Sequence, residues 1–289
     1  MKVQDGCNQF CSYCIIPYAR GRVRSRLASE VCQEIASLAR AGYQEVVLTG
    51  IHLSSYGLDL EGESLLSLIQ AVHQIDGIRR IRLGSLEPRI VTEKFAAALA
   101  GMEKFCPHFH LSLQSGCDAT LSRMNRRYTA EEYERTCELL RRTFDQPALT
   151  TDVIVGFPGE TEEEFEETLA FLKRIRLFET HVFKYSRRRG TRAAVMENQI
   201  PEQVKTERSR ILMELDRENS EAYILEQRGR DVEILIEEKM ILNGTEYQVG
   251  HTKEYIRAAV IAEQDLTNRI VSARIENMLE ERLCLASLR

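Results

Sequence analysis

Three cysteines near the start of the chain, Cys7, Cys11 and Cys14, have a spacing that can hold iron. They stand in the run CNQFCSYC, as C-x3-C-x2-C. Iron–sulfur clusters are normally held by cysteine thiolates, one for each iron. Three thiolates would hold three irons of a cubic 4Fe–4S cluster and leave the fourth iron without a protein ligand. An open position of this kind lets a metal site bind another molecule directly.

Two other interpretations of the cysteines have less support. A structural zinc site needs four ligands, usually as two separated pairs, and no second Cys or His pair stands at a fitting distance. A disulfide framework suits small secreted chains, whereas this chain has 289 residues, 8 cysteines and 43% hydrophobic residues. Because no apolar run of membrane or signal-peptide length is visible, we expect a reduced, cytoplasmic protein with no membrane partner.

A basic run follows the cysteines directly, although the formal net charge of the chain is −5. Arg20, Arg22, Arg24 and Arg26 alternate in the sequence ARGRVRSR. Arginine suits phosphate recognition because its guanidinium is a planar fork of donors. The run therefore predicts RNA binding beside the cysteine site, and a solvated loop is the alternative.

Hydrophobic periodicity predicts six strand–helix units in series, which indicates an α/β fold with a parallel sheet. A closed (β/α)8 barrel needs eight units, so six predict a part-open (β/α)6 barrel whose mouth admits a bulky substrate. The chemistry of such folds lies at the C-terminal ends of the strands, where the cysteine loop is expected. For the first long helix, over Glu30 to Ala41, Ser29 is the expected cap. Capping boxes at Thr129 and Thr161 predict two later helix starts.

The character of the chain changes near its C-terminal end. A charged segment from Pro201 to about Gln227 reads as a long helix, and four strand-like runs follow it. We therefore predict two domains, 1–226 and 227–289, the second a small all-β barrel. Residues 227–289 contain nine Lys and Arg against eleven Asp and Glu. RNA binding there would need a local patch, for which the candidates are His251, Lys253, Tyr255 and Arg257.

Together these motifs resemble the methylthiotransferase family of radical S-adenosylmethionine (SAM) enzymes, over essentially the whole chain. RGRVRSR, QSGCDATLSRMNRRYT and DVIVGFPGETEEEFEETL are typical of that family, and the small β barrel resembles its TRAM domain. LTGIHLSSYG, RLGSLEP and CPHFHLSLQSGCDATL resemble the members that act on threonylcarbamoyladenosine in tRNA. Lys184 and Arg187 depart from the family, which has prolines there. The alternatives are an isopentenyladenosine tRNA or ribosomal-protein methylthiotransferase, or a non-catalytic RNA-binding module with a metal site.

The resemblance implies insertion of a methylthio group at carbon 2 of an adenine next to the anticodon. It implies a 4Fe–4S cluster and SAM as cofactors, with one electron from the cluster splitting SAM into a 5′-deoxyadenosyl radical. The implied partners are tRNA and an electron donor such as flavodoxin or ferredoxin. Family members normally carry a preceding domain with a second cluster. Because strand one begins at Met1, we expect a partial member that cleaves SAM without methylthiolating tRNA.

Five residues are expected to bind the cofactor. Tyr13 either packs near the cofactor's adenine or serves as a hydrophobic plug. Gly50 and Gly156 either let the backbone approach the cofactor or form tight turns. Ser112 and Gln114 alternate on one strand, where their side chains would hydrogen-bond the cofactor.

Other polar residues at the strand ends have more than one interpretation. Glu87 and Asp152 are carboxylates suited to holding ribose hydroxyls or a structural arginine. His52, His108 and His110 are expected to serve in packing or in polar networks. The five cysteines outside the motif have no ligand spacing and are expected to be small buried hydrophobic residues.

Overall fold

The computed structural model describes residues 1–289, and its first part is an open barrel of parallel strands. The strands are β1 (Lys2–Asp5), β2 (Arg24–Ser25), β3 (Glu45–Gly50), β4 (Arg80–Leu83), β5 (His108–His110), β6 (Ala148–Val155) and β7 (Glu179–Lys184). β1, β3 and β4 are parallel neighbours, as are β5, β6 and β7, while β2 is an antiparallel edge beside β1. Two single bridges connect the β4 region to the β5 region. No pairing joins β7 to β1, so the predicted part-open barrel of six parallel strands is confirmed.

Helices cover the outside of these strands. They are α1 (Ile16–Arg20), α2 (Ala28–Arg40), α3 (Leu65–His73), α4 (Glu93–Ala100), α5 (Asp118–Arg123), α6 (Ala130–Thr143), α7 (Glu162–Ile175) and α8 (Glu202–Glu226). Both predicted capping boxes are present, at Thr129 with Glu132 and at Thr161 with Glu164. The main hydrophobic core, a cluster of 37 buried residues, lies between strands and helices. None of the helices combines the length and the apolar character needed to cross a membrane.

The start of α2 differs from the prediction. Ser29 was the expected cap, but the helix begins at Ala28, and the N-cap position is Leu27, which makes no side-chain cap. The backbone N–H of Ala28 instead donates to Glu63 Oε1 at 3.4 Å. A carboxylate from a distant loop therefore serves one of the free N–H groups at this helix end, and local sequence does not reveal such a partner.

The C-terminal residues form a closed antiparallel-rich barrel, as the all-β prediction requires. Its strands are β8 (Asp231–Leu242), β9 (Thr245–Thr252), β10 (Arg257–Val260), β11 (Ile270–Glu280) and β12 (Leu283–Leu288). Their order around the barrel is β10-β12-β11-β8-β9. There are five strands rather than four strand-like runs, because a turn at Tyr255, with φ of 70°, divides the second run.

Polar contacts from β4 hold the C-terminal barrel against the first domain. Arg80 donates to the carbonyls of His251 at 2.9 Å and Glu233 at 2.6 Å. Arg82 donates to the carbonyl of Thr252 at 3.1 Å, and its guanidinium lies 4.8 Å from the centre of the Tyr255 ring. The hydrophobic core of the small barrel also extends into the first domain.

The candidate RNA-binding patch of the small barrel makes contacts within the protein, and its binding of RNA stays a prediction. The Tyr255 ring stacks on His251 at 4.5 Å and on His108 of β5 at 4.8 Å. Lys253 donates to the carbonyl of Glu103 at 3.2 Å, and Arg257 pairs with a neighbouring glutamate. These side chains contact protein, since tertiary packing brings β4 and β5 against them.

Candidate iron–sulfur and cofactor site

The cysteine loop leaves the C-terminal end of β1 and enters α1. Its first residue, Gly6, has a φ of 70°, and a Cβ there would lie 1.8 Å from the carbonyl oxygen of Arg22, so only glycine fits. All three cysteines, Cys7, Cys11 and Cys14, line one cavity of about 140 Å³. Cys7 is buried, and the other two are half-buried. The loop therefore brings the three thiols to a common space at the barrel mouth.

Hydrogen bonds reach two of the three sulfur atoms. Arg126 Nη1 donates to Cys11 Sγ at 3.2 Å, and the backbone N–H of Gln9 donates to Cys7 Sγ at 3.4 Å. Burial raises the pKa of the Cys7 and Cys14 thiols above the ordinary value. Iron has to displace these protons, since only thiolates ligate metal. Arg126 was not singled out from the sequence, although it stands in the basic stretch SRMNRRYT.

His52 lines the same cavity and is a candidate for a fourth metal ligand. Its Nδ1 lies 2.6 Å from Ser55 Oγ, and its Nε2 lies 3.1 Å from Glu87 Oε2. Burial would raise the pKa of Glu87, but the hydrogen bond and charge of His52 outweigh it and hold that pKa below the ordinary value. Both ring nitrogens are engaged, so the side chains fit a three-thiolate cluster with an open position better than a Cys3His zinc site.

A second cavity, of about 440 Å³, adjoins the first, and Tyr13 and Cys14 line both. It is large enough for a nucleoside-sized ligand. Its wall includes Asp152 and Tyr185, and the hydroxyl of Tyr185 is buried without a hydrogen-bond partner. A buried polar atom without a partner is rare in a folded protein and fits a position that a ligand would complete.

The five predicted cofactor residues divide into two groups. Tyr13 borders both cavities, Ser112 borders the smaller, and Gln114 borders the larger. Gly50 and Gly156 line neither cavity. A Cβ on Gly50 would lie 2.8 Å from the Gln4 side chain, and one on Gly156 would lie 2.3 Å from Lys205. Both glycines thus have a packing explanation, and their contact with a cofactor stays a prediction.

The arginine run does not form a plain loop. Arg20 ends α1, and Arg24 lies in β2. Arg24 is 3.7 Å from Asp5, and Arg26 is 2.8 Å from Glu34, so both have acidic partners. Arg20 has no carboxylate within salt-bridge distance. Arg22 also has none, and its guanidinium lies 5.0 Å from the centre of the Phe10 ring.

A second basic run lies beside the cysteine loop and was not recognised as a candidate RNA-binding element from the sequence. It consists of Arg187, Arg188, Arg189 and Arg192, all exposed. The run is fixed to the loop by the N–H of Ala193, which donates to the carbonyl of Ser12 at 2.8 Å. Arg188 also lines the larger cavity. The signal in the sequence is the run RRRGTR, in which four of six residues are arginine.

Comparison with known proteins yields relatives that are equally similar to this chain in sequence but are named for different modified adenosines. Threonylcarbamoyladenosine tRNA methylthiotransferase MtaB of Bacillus subtilis is 40% identical over 277 residues, covering 95% of this chain and 61% of that protein. The tRNA-2-methylthio-N(6)-dimethylallyladenosine synthase of Acetivibrio thermocellus is 40% identical over 281 residues, covering 96% and 58%. This chain therefore spans about three-fifths of the length of these curated relatives.

The fold has a solved counterpart in the radical S-adenosylmethionine methyltransferase TsrM from Kitasatospora setae. The TM-score is 0.57 with 21% identity, over 68% of this chain and 38% of that one. At this identity the likeness concerns the fold. The family profile of the Radical SAM superfamily matches residues 1–172, which is more than half of the chain. With the open barrel and the three-cysteine loop at its mouth, this match shows that the chain belongs to the Radical SAM superfamily.

Proposed function

We propose that this chain supplies the SAM-cleaving core and part of the tRNA-binding surface of a tRNA methylthiotransferase. The proposed reaction is methylthiolation at carbon 2 of threonylcarbamoyladenosine next to the anticodon, in the cytoplasm. The observation that carries the proposal is the convergence of Cys7, Cys11 and Cys14 on one cavity in which both ring nitrogens of His52 are already engaged. The relatives named for methylthiolation of tRNA support the substrate class.

The cysteines would hold a 4Fe–4S cluster, which when bound supplies the electron that splits the sulfonium of SAM. Tyr13, Ser112 and Gln114 border the two cavities and are the side chains proposed to contact SAM. Arg126 lies 3.2 Å from Cys11 Sγ and would offset the negative charge of the thiolates. The C–H bond at carbon 2 of adenine is inert to acid–base chemistry. The protein therefore has to position the base and exclude water while the cofactor performs the difficult step.

The proposed tRNA contact is the basic rim around the mouth. Arg20 and Arg22 lie on one side of the cysteine loop, and the run from Arg187 to Arg192 packs against the same loop. Phosphate contacts position a nucleic acid and contribute affinity with little sequence dependence. The proposed electron donor is a flavodoxin or ferredoxin.

The test compares two cysteine variants after anaerobic reconstitution. The wild-type chain should bind one cluster of about four irons in this site and release 5′-deoxyadenosine from SAM under dithionite. Cys11→Ala should abolish the release, because a cluster held by two thiolates is labile. Cys284→Ala is the control, since this cysteine is buried in the small barrel. Release of 5′-deoxyadenosine by Cys11→Ala at the wild-type rate would overturn the assignment.

A nucleoside assay tests the substrate. Transfer RNA from a strain lacking the gene should lose the methylthio group from threonylcarbamoyladenosine and keep it on dimethylallyladenosine. The opposite pattern would favour the second candidate, the dimethylallyladenosine enzyme, which the 40% identity to the Acetivibrio thermocellus relative supports equally well.

A further inference from the structure

Three polar side chains from neighbouring strands meet inside the barrel, below the cysteine loop. They are His110 of β5, Asp152 of β6 and His181 of β7, called the polar floor below. Their ligand-type atoms all lie within 4.8 Å of one another. The rings of His110 and His181 stack with centres 5.5 Å apart. The register explains the meeting, because Asp152 is directly opposite His181 and His110 is opposite Thr150.

The hydrogen bonds of the polar floor are incomplete. His110 is fully engaged, with Nδ1 at 3.0 Å from Thr150 Oγ1 and Nε2 at 3.3 Å from Asp152 Oδ2. The imidazole of His181 makes no hydrogen bond, and its closest acidic neighbour, Glu179, is 3.9 Å away. The carboxylate of Asp152 has no polar partner other than His110. A free donor on His181 and a free acceptor on Asp152 therefore stand side by side.

The acceptor of this pair, Asp152, borders the space where a substrate would enter, and His181 lies beside it. Asp152 lines the 440 Å³ cavity together with Cys14 and Gln114. Phe183, two residues beyond His181 on the same face of β7, lines it as well. The side chain of Asp152 is 29% exposed and that of His181 is 44% exposed, so both are accessible to a ligand.

We propose that Asp152 and His181 recognise the polar substituent on N6 of the target adenine and thereby select threonylcarbamoyladenosine over dimethylallyladenosine. This inference rests on the proposed function. Carbon 2 and carbon 6, which carries N6, belong to the same six-membered ring, so a base with carbon 2 at the cofactor places its N6 substituent against the wall of the same cavity. The threonylcarbamoyl group carries N–H, hydroxyl and carboxylate groups. Asp152 would accept from an N–H or hydroxyl, and His181 would donate to the carboxylate.

The dimethylallyl group has five carbons and no polar atom, so it cannot complete these hydrogen bonds. Covering the pair with hydrocarbon would remove water from a carboxylate and an imidazole without replacement, which is costly. Sites built to hydrogen-bond a ligand reject analogues that lack the polar group far more strongly than apolar pockets reject an added methylene. The polar floor would thus select by the penalty on the wrong substrate as well as by contacts with the right one.

A metal ion is the competing occupant, because two histidines and a carboxylate are also a known ligand set for iron and zinc. Two ligands of one zinc ion, at about 2.0–2.2 Å each, lie at most about 4 Å apart. Asp152 lies farther from His181 than Glu179 does at 3.9 Å. His110 Nε2, at 3.3 Å from Asp152 Oδ2, donates its N–H to that carboxylate and has no lone pair free for a metal. The geometry therefore fits an organic polar group better, and metal content is measured in the test.

The experiment measures binding of three anticodon hairpins of identical sequence to the full chain, loaded with its cluster and with SAM. The hairpins carry threonylcarbamoyladenosine, dimethylallyladenosine or unmodified adenosine at the target position. The variants are His181→Phe and Asp152→Asn. The control is His73→Phe, the same chemical change on the outer helix α3. Thermal unfolding and metal content are recorded for each protein.

The wild type should prefer the threonylcarbamoyl hairpin, and each variant should reduce that preference roughly tenfold to a hundredfold, the range for a hydrogen bond to a charged group. Binding of the unmodified hairpin should stay unchanged, as should all three affinities of His73→Phe. A wild type that prefers the dimethylallyl hairpin, or binds none, would refute the proposed function itself. A wild-type preference that survives in both variants would refute only the role of the polar floor. So would a bound non-iron metal that is lost in His181→Phe.

Discussion

Polar side chains at the two ends of the open barrel differ in whether they have partners within the protein. At the mouth, Arg20 has no acidic partner, the His181 imidazole has only a long contact of 3.9 Å to Glu179, and the three thiols face a cavity. At the opposite end, the guanidinium groups of Arg80 and Arg82 donate to four carbonyls of the small barrel. Polar groups at the mouth are available to ligands, whereas those at the base join the open barrel to the small barrel.

Two histidines of one strand show what produces this difference. His108 and His110 stand two residues apart on β5, and both lie near Thr150 Oγ1, at 3.1 Å and 3.0 Å. His108 is covered by Tyr255 from the small barrel and is buried, whereas His110 belongs to the polar floor. The residue type and the strand are the same, so their roles follow from what covers each ring. Variants at the base should therefore change stability, and variants at the mouth should change binding.

The largest effect is expected at the base, from Arg82→Met. Arg82 is 3% exposed, pairs with Glu45 Oε1 at 2.9 Å and stacks on Tyr255. Its loss leaves a largely buried carboxylate with only the longer contact to Arg80, and the Lys253 carbonyl without this donor. We expect a loss of about 3 kcal/mol in the free energy of unfolding, measured with urea.

Arg210→Met is the matched control for that change. Arg210 is exposed on α8 and pairs with Glu207 and Glu214, so its loss should cost about 1 kcal/mol or less. The rate of SAM cleavage per folded Arg82→Met molecule should equal that of the wild type. Equal stability losses for Arg82→Met and Arg210→Met would mean that the β4 arginines do not hold the base together.

The next effect is a dependence of stability on pH that arises at His108. Burial holds the pKa of His108 well below its ordinary value of 6.5. Below about pH 6.5 the unfolded chain therefore takes up a proton that the folded chain refuses, so the free energy of unfolding falls as the pH falls. The slope from this residue approaches about 1.4 kcal/mol per pH unit.

His108→Gln should remove this part of the slope between pH 6.5 and 5, as measured by urea unfolding at several pH values. If His108→Gln keeps the wild-type slope, the burial of His108 under Tyr255 does not control its protonation, and the contrast between the base and the mouth fails.

Local sequence predicted most of the barrel because its elements depend on local patterns. Strand β3 covers the run EVVLTG, and the boxes at Thr129 and Thr161 begin α6 and α7. The predictions failed where a partner comes from far along the chain. Glu63 replaces the expected cap at Ser29, and the packing of Tyr255 against β4 and β5 was not foreseen.

The candidate site shows the same division. The spacing of the cysteines indicated the cluster chemistry, since the three thiols are close in sequence as well as in space. Asp152 and His110 were noted one by one as polar strand residues. Their meeting with His181 depends on the register of three parallel strands, and no feature within one strand reveals that register. His181 was therefore missed.

The smallest effect is expected at the mouth, within the first arginine run, and it separates free arginines from paired ones. Arg20 and Arg22 have no acidic partner, whereas Arg24 and Arg26 lie near Asp5 and Glu34. A paired arginine has to give up its carboxylate before it can neutralise a phosphate, so its contribution to RNA binding is smaller. Each phosphate contact contributes about 0.9 to the slope of log affinity against log salt concentration for duplex nucleic acid. Arg20→Ala with Arg22→Ala should therefore weaken tRNA binding about threefold to tenfold at moderate salt and lower that slope by up to about 2.

Arg24→Ala with Arg26→Ala is the matched control. In a filter-binding series over salt concentration, this double variant should change both the affinity and the slope less. Equal losses for the two double variants would show that the ion pairs open on binding, and unchanged affinity for both would make the run a solvated surface.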